Sequence, residues 1–228
     1  MIKKQNDILS MPKTSPHYRI TATLLNQWQR IFEAEDFVKE SENDEMSYED
    51  KVNVETQKRI REFVDLLNRI PTPDNEAMRK GREYERYVCE GLDKEFSPIV
   101  NGGAFQVKIT KDIVVDNVPI RMYGVLDVLK AGRVIDIKRV GQYKYPKYKT
   151  SHQHAMYLFL VPSAIDFTYL ICDDNIDNKN EEKRNDAHHY ENYRRENIED
   201  IVMVVSQFLS WLKANNLFET YLQNWAMY

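Results

Sequence analysis

Two short apolar segments joined at Ala131-Gly132 carry three charged side chains, and this combination constrains the chain more than any other feature. Residues 123–138 read YGVLDVLKAGRVIDIK, in which Asp127, Asp136 and Lys138 stand among valine, leucine and isoleucine. Carboxylates are depleted in strands, whereas β-branched residues are enriched there. The segments therefore predict a β-hairpin whose charged side chains require compensation.

The length of the turn decides which side chains of the hairpin face each other. If the turn has two residues, Lys130 pairs with Arg133, and the same register places Asp127 directly opposite Asp136. The Cβ atoms of directly opposed residues are roughly 4.5–5.5 Å apart, and like charges at that distance repel each other. A bound divalent cation is the simplest compensation for two facing carboxylates in an apolar hairpin.

A lysine completes the charged face of the hairpin. Lys138 follows Asp136 by two residues, so both side chains project from the same face of the strand. Ile135 and Ile137 then point to the opposite face, into a core. Two acids and one lysine on one face can bind a metal ion and activate a water molecule beside a phosphate.

Two other interpretations of these charges need no metal ion. Asp127 and Asp136 could form a structural ion-pair network with Lys138 or Arg121, although buried ion pairs are costly without excellent geometry. Lys138 could also be a surface lysine on an edge strand, but its position two residues after Asp136 argues against that interpretation.

The distribution of charge along the chain is more informative than its sum. The 228 residues carry a net charge of −4, with 42% hydrophobic and 30% charged residues, as in an ordinary globular domain. Residues 33–50 contain nine acids and one lysine, whereas residues 138–149 contain five cations and no acid. Because the basic stretch directly follows the carboxylate hairpin, positive charge is concentrated where a phosphate would approach.

The sequence shows no signal for export or for membrane insertion. No apolar run approaches the ~20 residues that span a bilayer, and the first residues, MIKKQN, lack the apolar core of a signal peptide. We therefore expect a cytoplasmic protein with no membrane partner. Cys89 and Cys172 are the only cysteines, which predicts reduced, packed thiols.

Hydrophobic periodicity predicts a mixed order of helices and strands. Helices are predicted at residues 21–40, 50–70, 75–95, 150–161, 197–214 and 216–226. Strands are predicted at residues 105–115, 119–129, 133–140, 166–172 and 188–195, the last of them near an edge. Residues 1–17, 40–50 and 173–186 are predicted to lack regular structure. This order predicts an α/β fold with one mixed β-sheet flanked by helices.

The predicted elements divide the chain into two regions. Residues 1–74 are predicted to form an N-terminal helical region. That region is expected to pack on a core formed by residues 75–228. The two regions together are expected to make one compact domain.

Four short motifs follow one another along the predicted helices and strands. Gly81-Arg-Glu-Tyr-Glu85 lies on a predicted helix, Asp127 and Asp136-Ile-Lys138 lie on successive strands, and Gln153-His-Ala-Met-Tyr157 lies on the next helix. This arrangement resembles the PD-(D/E)XK nuclease superfamily, in its RecB-like and lambda-exonuclease-like branch. The motifs cover about a third of the chain. The resemblance implies a restriction-endonuclease-like core with a central mixed β-sheet.

The resemblance also implies an activity. It implies a metal-dependent deoxyribonuclease, an exonuclease that hydrolyses DNA phosphodiester bonds in DNA recombination, repair or processing. Mg²⁺ or Mn²⁺ is the implied cofactor, and carboxylate oxygens suit these hard cations. The implied metal ligands are Glu85, Asp127, Asp136 and the backbone carbonyl of Ile137. The implied catalytic residues are Lys138, Asp127, Asp136 and Gln153.

Two of these residues have roles beyond metal binding. Lys138 is implied to orient or help deprotonate the attacking water and to stabilise the transition state. Gln153 is implied to position that water or the lysine.

A basic, tyrosine-rich segment follows the hairpin and predicts nucleic-acid contacts. Residues 138–149 interleave three tyrosines with five cations. Cations contact phosphates, and aromatic rings stack on exposed bases. The resemblance also implies that Tyr157, on the helix that follows, supports the substrate phosphate or strand. The predicted nucleic-acid-binding residues are Arg139, Tyr143, Lys144, Lys147, Lys149 and Tyr157. The alternative is a solvated loop without a partner.

The flanking motifs also have structural interpretations. Glu85 lies beside the apolar stripe of its helix, where an unpaired carboxylate is costly, and it could pair with Arg82 or Arg86 instead of a metal ion. Gln153 and Tyr157 share a helical face and could simply cap and pack.

Two other classes of function stay open. One is a non-catalytic nucleic-acid-binding module that retains the nuclease fold and binds through residues 138–149. The other is a structural or protein-interaction domain in which the hairpin charges pair with each other.

The expected partner is DNA, double- or single-stranded, and the chain acts alone or with a recombination or helicase partner. No iron–sulfur cluster is expected, because two cysteines cannot supply its four ligands.

Overall fold

A seven-stranded mixed β-sheet forms the centre of the fold. The computed structural model describes residues 16–38, 46–174 and 187–227, and its strands are β1 (His17–Ile20), β2 (Ala104–Val115), β3 (Val118–Lys130), β4 (Arg133–Val140), β5 (Asp166–Asp173), β6 (Ala187–Arg194) and β7 (Ala226–Met227). The helices are α1 (Ala22–Phe32), α2 (Tyr48–Leu67), α3 (Glu76–Cys89), α4 (Ser97–Val100), α5 (His152–Leu160), α6 (Ile201–Ala214) and α7 (Phe218–Trp225), with 3₁₀ turns at Ala34–Phe37 and Arg195–Asn197. Within these ranges, none of the helices combines the length and the apolar character that crossing a membrane requires.

The strand order leaves one edge of β3 shared between two partners. The order is β6-β5-β4-β3-β1-β7, and β2 pairs with β3 over nearly its whole length. Because β2 occupies one edge, β1 and β4 must share the other edge. β1 runs parallel to β3 at Ile120–Met122, and β4 runs antiparallel to it at Val128–Lys130. In the described part of the chain, the stretch of β3 between these two partners has no strand neighbour on that edge.

Helices cover both faces of the sheet, which confirms the predicted mixed sheet flanked by helices. On one face α1, α5, α6 and α7 enclose the larger core, with Trp28 and Phe208 packed edge to face. On the other face α3 and α4 cover a smaller core that contains Val88, Ile135 and Ile137. The predicted inward direction of the two isoleucines is therefore confirmed.

Tight turns set the register of both hairpins. Ala131 and Gly132 have φ values of +48° and +76°, and the turn at residues 116–117 also has two positive φ values. Two-residue turns of this kind match the twist of antiparallel strands. Lys130 pairs with Arg133, so the charged hairpin starts in the predicted register.

Local signals begin and end the helices. The side chain of Thr21 accepts a hydrogen bond from Leu24 N at 3.2 Å, which caps the start of α1. α1 ends at Phe32, earlier than periodicity predicted, and a 3₁₀ turn follows. α3 ends at Cys89, also earlier than predicted, shortly before Gly91 with a φ of +85°. A glycine in this conformation commonly terminates a helix.

Residues that precede position 75 contribute to the sheet itself. β1 lies between β3 and β7, and α1 shares the larger core with α5. The four-residue strand HYRI has no periodicity that sequence could reveal, and its parallel pairing joins segments that are distant along the chain. Of the stretches predicted to lack regular structure, residues 1–15, 39–45 and 175–186 lie outside the described residues.

Candidate active site

The candidate site begins where β3 and β4 separate. Their ladder ends at the pair Val128–Ile135, although the same register would next set Asp127 opposite Asp136 and then join Ile137 to Leu126 by backbone hydrogen bonds. Ile137 N instead donates to Asp127 Oδ2 at 2.9 Å. The carboxylate of Asp127 thus takes the place of a backbone acceptor and satisfies a donor that the parted strands would leave unpaired.

The two aspartates lie just beyond the last ladder pair, which corrects one detail of the prediction. The turn and the register are as expected, but the strands have parted before Asp127 and Asp136 could face each other as a regular pair. Their charges still interact. Burial and the charge of Asp136 raise the pKa of the Asp127 carboxyl well above its usual range, and Glu85 adds to the shift, whereas Lys138 opposes it.

Asp136 is the centre of the site. Its side chain is 2% exposed, and its Oδ1 accepts a hydrogen bond from Gln153 Nε2 at 2.5 Å. Its Oδ2 lies 2.6 Å from Lys138 Nζ, yet no hydrogen bond of acceptable direction reaches this oxygen from the described residues. The short distance establishes an ion pair with Lys138, and Oδ2 itself is buried within the protein.

Lys138 connects the buried aspartate to the surface. Its side chain is 30% exposed, while its ammonium group pairs with the buried carboxylate of Asp136. Burial lowers the pKa of Lys138, but the carboxylates of Asp136 and Asp127 outweigh burial, and the pKa is raised. The lysine of the metal-free protein is therefore a cation at neutral pH, which agrees with its predicted electrostatic role.

Glu85 approaches the site from α3 and is held by a residue that sequence patterns did not single out. Its carboxylate accepts a hydrogen bond from the Gln106 side chain. Burial and the charge of Asp136 raise the pKa of Glu85, while Lys138 opposes the rise. Arg82, which was one possible partner, pairs with Asp74 instead. The acid predicted on the helix thus does share the electrostatic environment of the hairpin.

Gln106 lies at an irregular point of the β2–β3 ladder. Its φ is +51°, and the pairs Phe105–Val128 and Val107–Leu126 are formed on either side of it. In this register Gln106 would face Asp127. No sequence signal could have found this glutamine, because its environment is set by the neighbouring strand and by α3.

The helix α5 supplies the glutamine and tyrosine of the last motif. The Ser151 side chain accepts a hydrogen bond from Gln153 N at 3.3 Å and so caps the helix next to Asp136. Tyr157 is 8% exposed, and its hydroxyl donates to Val125 O at 3.1 Å. Burial raises the pKa of Tyr157 to about 12. These contacts favour the structural interpretation of Tyr157, as a support for the strand that carries Asp127.

The tight contact between Tyr157 and β3 gives a test of this support. A Cβ atom added to Gly124 would lie 2.7 Å from Tyr157 Cε1, and the hydroxyl bond to Val125 keeps the ring in place. Gly124→Ala is expected to lower the free energy of unfolding by about 1–3 kcal/mol, as overpacking does. Urea denaturation measures this change. Gly141→Ala is the matched control, because nothing lies within 4 Å of its added Cβ. Equal effects of both substitutions on the free energy of unfolding would contradict the role of Tyr157 as a support for β3.

Several predicted nucleic-acid-binding residues are engaged elsewhere in the fold. Arg139 forms an ion pair with Asp174 at 2.8 Å, and Lys147 Nζ donates to Gln142 O at 2.9 Å. Lys144 and Lys149 are exposed. The structure thus gathers Glu85, Asp127, Asp136, Lys138 and Gln153 at one place, and leaves only part of the basic segment directed to solvent.

Tyr148 is a neighbour of the site that sequence reasoning did not select. Its ring stacks on Tyr169 with centroids 4.4 Å apart and an interplanar angle of 21°. Burial raises its pKa to about 12, and the charges of Lys138 and Asp136 also act on it. The tyrosine-rich composition of residues 138–149 was the only available signal, and it did not distinguish this ring from the other two.

The arrangement of the acids is not that of a preformed metal site. Within residues 16–38, 46–174 and 187–227, no group of three or more His, Cys, Asp and Glu side chains is arranged to hold a metal ion. The chemistry of the donors nevertheless fits a hard cation, because they are carboxylate oxygens. The buried Asp136 Oδ2 accepts no well-directed hydrogen bond from the described residues. Together with the raised pKa values of Asp127 and Glu85, this indicates a site that would gain from added positive charge.

The fold is distantly similar to those of two solved proteins. No protein-family model matches this chain, and no curated protein matches it significantly. SSO0001 is 15% identical, with 90% of this chain and 80% of that chain covered and a TM-score of 0.49. A protein from Eubacterium rectale, named a putative exonuclease, is 10% identical, with 98% and 88% covered and a TM-score of 0.41. Similarity at this level does not indicate a function.

Proposed function

We propose that this protein is a Mg²⁺- or Mn²⁺-dependent nuclease that hydrolyses phosphodiester bonds of DNA. One observation carries the proposal. The buried Asp136 carboxylate is held between Lys138 and Gln153 at the parting of two strands, and the charges of Asp127 and Glu85 act on the same place. Exonuclease action in DNA recombination, repair or processing is the more specific form of the proposal, and it rests on the resemblance of the motifs.

Each side chain of the site has a role that follows from its contacts. A bound divalent cation would supply positive charge to the scissile phosphate and lower the pKa of a nearby water molecule. The acids that would hold it are Asp127, Asp136 and Glu85. Gln153 fixes the orientation of Asp136 through its hydrogen bond to Oδ1. Lys138, which is protonated and partly exposed, stabilises negative charge that develops on the phosphate oxygens.

A cleavage assay with three DNA forms tests the proposal. The forms are an end-labelled linear duplex, an end-labelled single strand and a covalently closed circle, each incubated with Mg²⁺, Mn²⁺ or EDTA. Linear DNA is expected to be degraded with either metal ion and to stay intact with EDTA, while the circle survives. Cleavage of the circle would replace exonuclease by endonuclease action. If no DNA form is cleaved with either ion, the proposal is wrong.

A non-catalytic nucleic-acid-binding module is the second candidate function. Two observations favour it, the closed ion pair between Asp136 and Lys138 and the lack of a three-ligand group among the described residues. Titration of the protein with Mn²⁺ in a calorimeter separates the candidates. The nuclease is expected to show saturable binding that is lost in Asp127→Asn, whereas the non-catalytic module would show no specific site.

Replacement of Gln153 is expected to have a smaller effect on cleavage than replacement of Lys138 or Asp127. Gln153→Ala removes the donor to Asp136 Oδ1, so the carboxylate is free to turn. Loss of a residue that orients a metal ligand typically lowers metal affinity or activity by about 10- to 100-fold. We expect a decrease of this size in the cleavage rate, with the half-saturating Mn²⁺ concentration raised. The exposed Gln207 of α6 provides the control Gln207→Ala, and equal rates for both variants would contradict the role of Gln153.

A further inference from the structure

The basic loop that follows β4 is anchored by a buried glutamate on the edge strand β6. Glu191 is 2% exposed. Its Oε1 accepts hydrogen bonds from Lys147 N at 2.8 Å and from the Tyr143 hydroxyl at 3.0 Å. Its Oε2 accepts hydrogen bonds from Tyr148 N at 3.2 Å and from the Tyr193 hydroxyl at 2.6 Å. Four donors to one buried carboxylate fix the course of the loop backbone.

The three tyrosines of the loop have different surroundings. Tyr143 stacks on His189 with centroids 4.5 Å apart, and Tyr148 stacks on Tyr169. Tyr145 lies between these two anchored rings along the chain and is 73% exposed. A single exposed aromatic side chain is unremarkable on a protein surface. This one, however, lies in a loop that Glu191 holds through the Tyr143 hydroxyl on one side and the Lys147 and Tyr148 backbone N–H groups on the other. Ordering of the loop on binding therefore costs little conformational entropy.

The loop that carries the exposed ring connects two elements of the proposed active site. The loop leaves from β4, which carries Lys138, and enters α5, which carries Gln153. Lys144 and Lys149 are exposed on the same loop, and their charges suit phosphates of a bound strand. Positive charge combined with an accessible aromatic ring is the combination that binds single-stranded nucleic acid, because every base has a face on which a ring can stack.

We propose that Tyr145 is a base-stacking residue and that the substrate presents unpaired bases at this site, as a single strand or a frayed DNA end. A base inside an intact duplex already stacks on its neighbours and offers no face to the ring. This inference rests on the proposed nuclease function for its substrate. It adds that Tyr145 contributes to binding of the strand and not to the chemical step.

Binding of fluorescein-labelled DNA, measured by anisotropy in EDTA so that no strand is cut, tests the inference. The probes are a short single strand, the same strand with abasic sites in place of its bases, and a blunt duplex. We expect the wild-type protein to bind the base-bearing single strand more tightly than either other probe. Tyr145→Ala is expected to weaken binding of that strand by about 5- to 150-fold, the usual range for a lost base–aromatic stack, and to leave the abasic strand unchanged.

Two further variants control the measurement. Tyr145→Phe keeps the ring and is expected to bind like the wild type. Tyr48→Ala removes a tyrosine of α2 that is 41% exposed and is expected to change nothing. The inference is overturned if Tyr145→Ala weakens both single strands equally or neither of them, or if the wild-type protein prefers the blunt duplex.

Cleavage at saturating protein concentration distinguishes this inference from the proposed function. With Mg²⁺, Tyr145→Ala is expected to reach the wild-type single-turnover rate once the strand is fully bound. If the wild-type protein cleaves DNA but Tyr145→Ala binds normally, the stacking inference alone fails. If the wild-type protein cleaves nothing but the binding pattern is as expected, the nuclease function fails and the stacking surface stands.

Discussion

Lys138→Ala is expected to lower the rate of Mg²⁺-dependent DNA cleavage by about 100- to 1000-fold, as the loss of one donor that stabilises transition-state charge does. The Lys138 ammonium lies 2.6 Å from Asp136 Oδ2, and the lysine side chain is partly exposed, so a phosphate bound at the site can approach it. Burial lowers its pKa, but the neighbouring carboxylates outweigh burial and keep the lysine charged at neutral pH. Single-turnover cleavage of an end-labelled strand at saturating protein concentration measures the effect on the chemical step.

Controls for this substitution address folding and charge separately. The substitution leaves the buried Asp136 without its ion pair, so the Tm is recorded for every variant. Lys138→Gln keeps a hydrogen-bond donor beside the acid without the positive charge, and it is expected to be nearly as inactive as the alanine variant. Lys108→Ala removes an exposed lysine of β2 and is expected to cleave at the wild-type rate. A folded Lys138→Ala protein with undiminished activity would exclude the proposed mechanism.

Asp127→Asn is expected to abolish cleavage and yet to raise the Tm of the metal-free protein at neutral pH. Burial and the charge of Asp136 raise the pKa of Asp127, so the folded protein prefers the protonated form. The contribution of such a group to stability is fully present below its unfolded pKa of about 3.9 and is lost as the pH rises through the folded pKa. Asparagine stays neutral at every pH and keeps an oxygen that accepts the hydrogen bond from Ile137 N.

Thermal unfolding across a pH series measures the effect of Asp127→Asn. For a chain of this length, each kcal/mol of added stability raises the Tm by about 2–4 °C. The advantage of the variant is expected to be largest at neutral pH and to shrink as the pH falls towards 4. Mg²⁺ is expected to stabilise the wild-type protein, because a ligand that binds the folded state raises the Tm, and to leave the variant unchanged.

A neutral substitution elsewhere separates this effect from a general loss of negative charge. Asp65 is exposed on α2, and Asp65→Asn is expected to leave the Tm nearly unchanged at all pH values. A lower Tm for Asp127→Asn than for the wild-type protein at neutral pH would show that the carboxylate stabilises the fold, contrary to the expectation.

The charged hairpin shows which structural features can be predicted from local sequence. Its turn at Ala131-Gly132, the pairing of Lys130 with Arg133 and the inward direction of Ile135 all follow from turn chemistry and strand alternation. These features depend on residues that are near neighbours in the chain. The end of the ladder before the two aspartates does not depend on them, because it reflects how β1 and β4 share one edge of β3.

The contacts that complete the site could not be predicted from local sequence patterns, for the same reason. Gln106 reaches Glu85 from another element, and Glu191 holds the basic loop from a strand more than forty residues further along the chain. No periodicity marks either residue as special. Their roles arise because the sheet brings β2, β4 and β6 to positions from which these side chains meet α3 and the loop.

The sequence by itself determined the order of the longer helices and strands and the tight hairpin, and it set acids, a lysine and a glutamine at spacings that share faces. Only the tertiary structure decided which partner each charge takes. Asp136 pairs with Lys138 and Gln153. Asp127 accepts a hydrogen bond from a backbone N–H group, and Arg139 forms an ion pair with Asp174. Spacing fixes the direction of a side chain relative to its own strand or helix. Its burial, its pKa and its partner depend on distant segments, which only packing brings together.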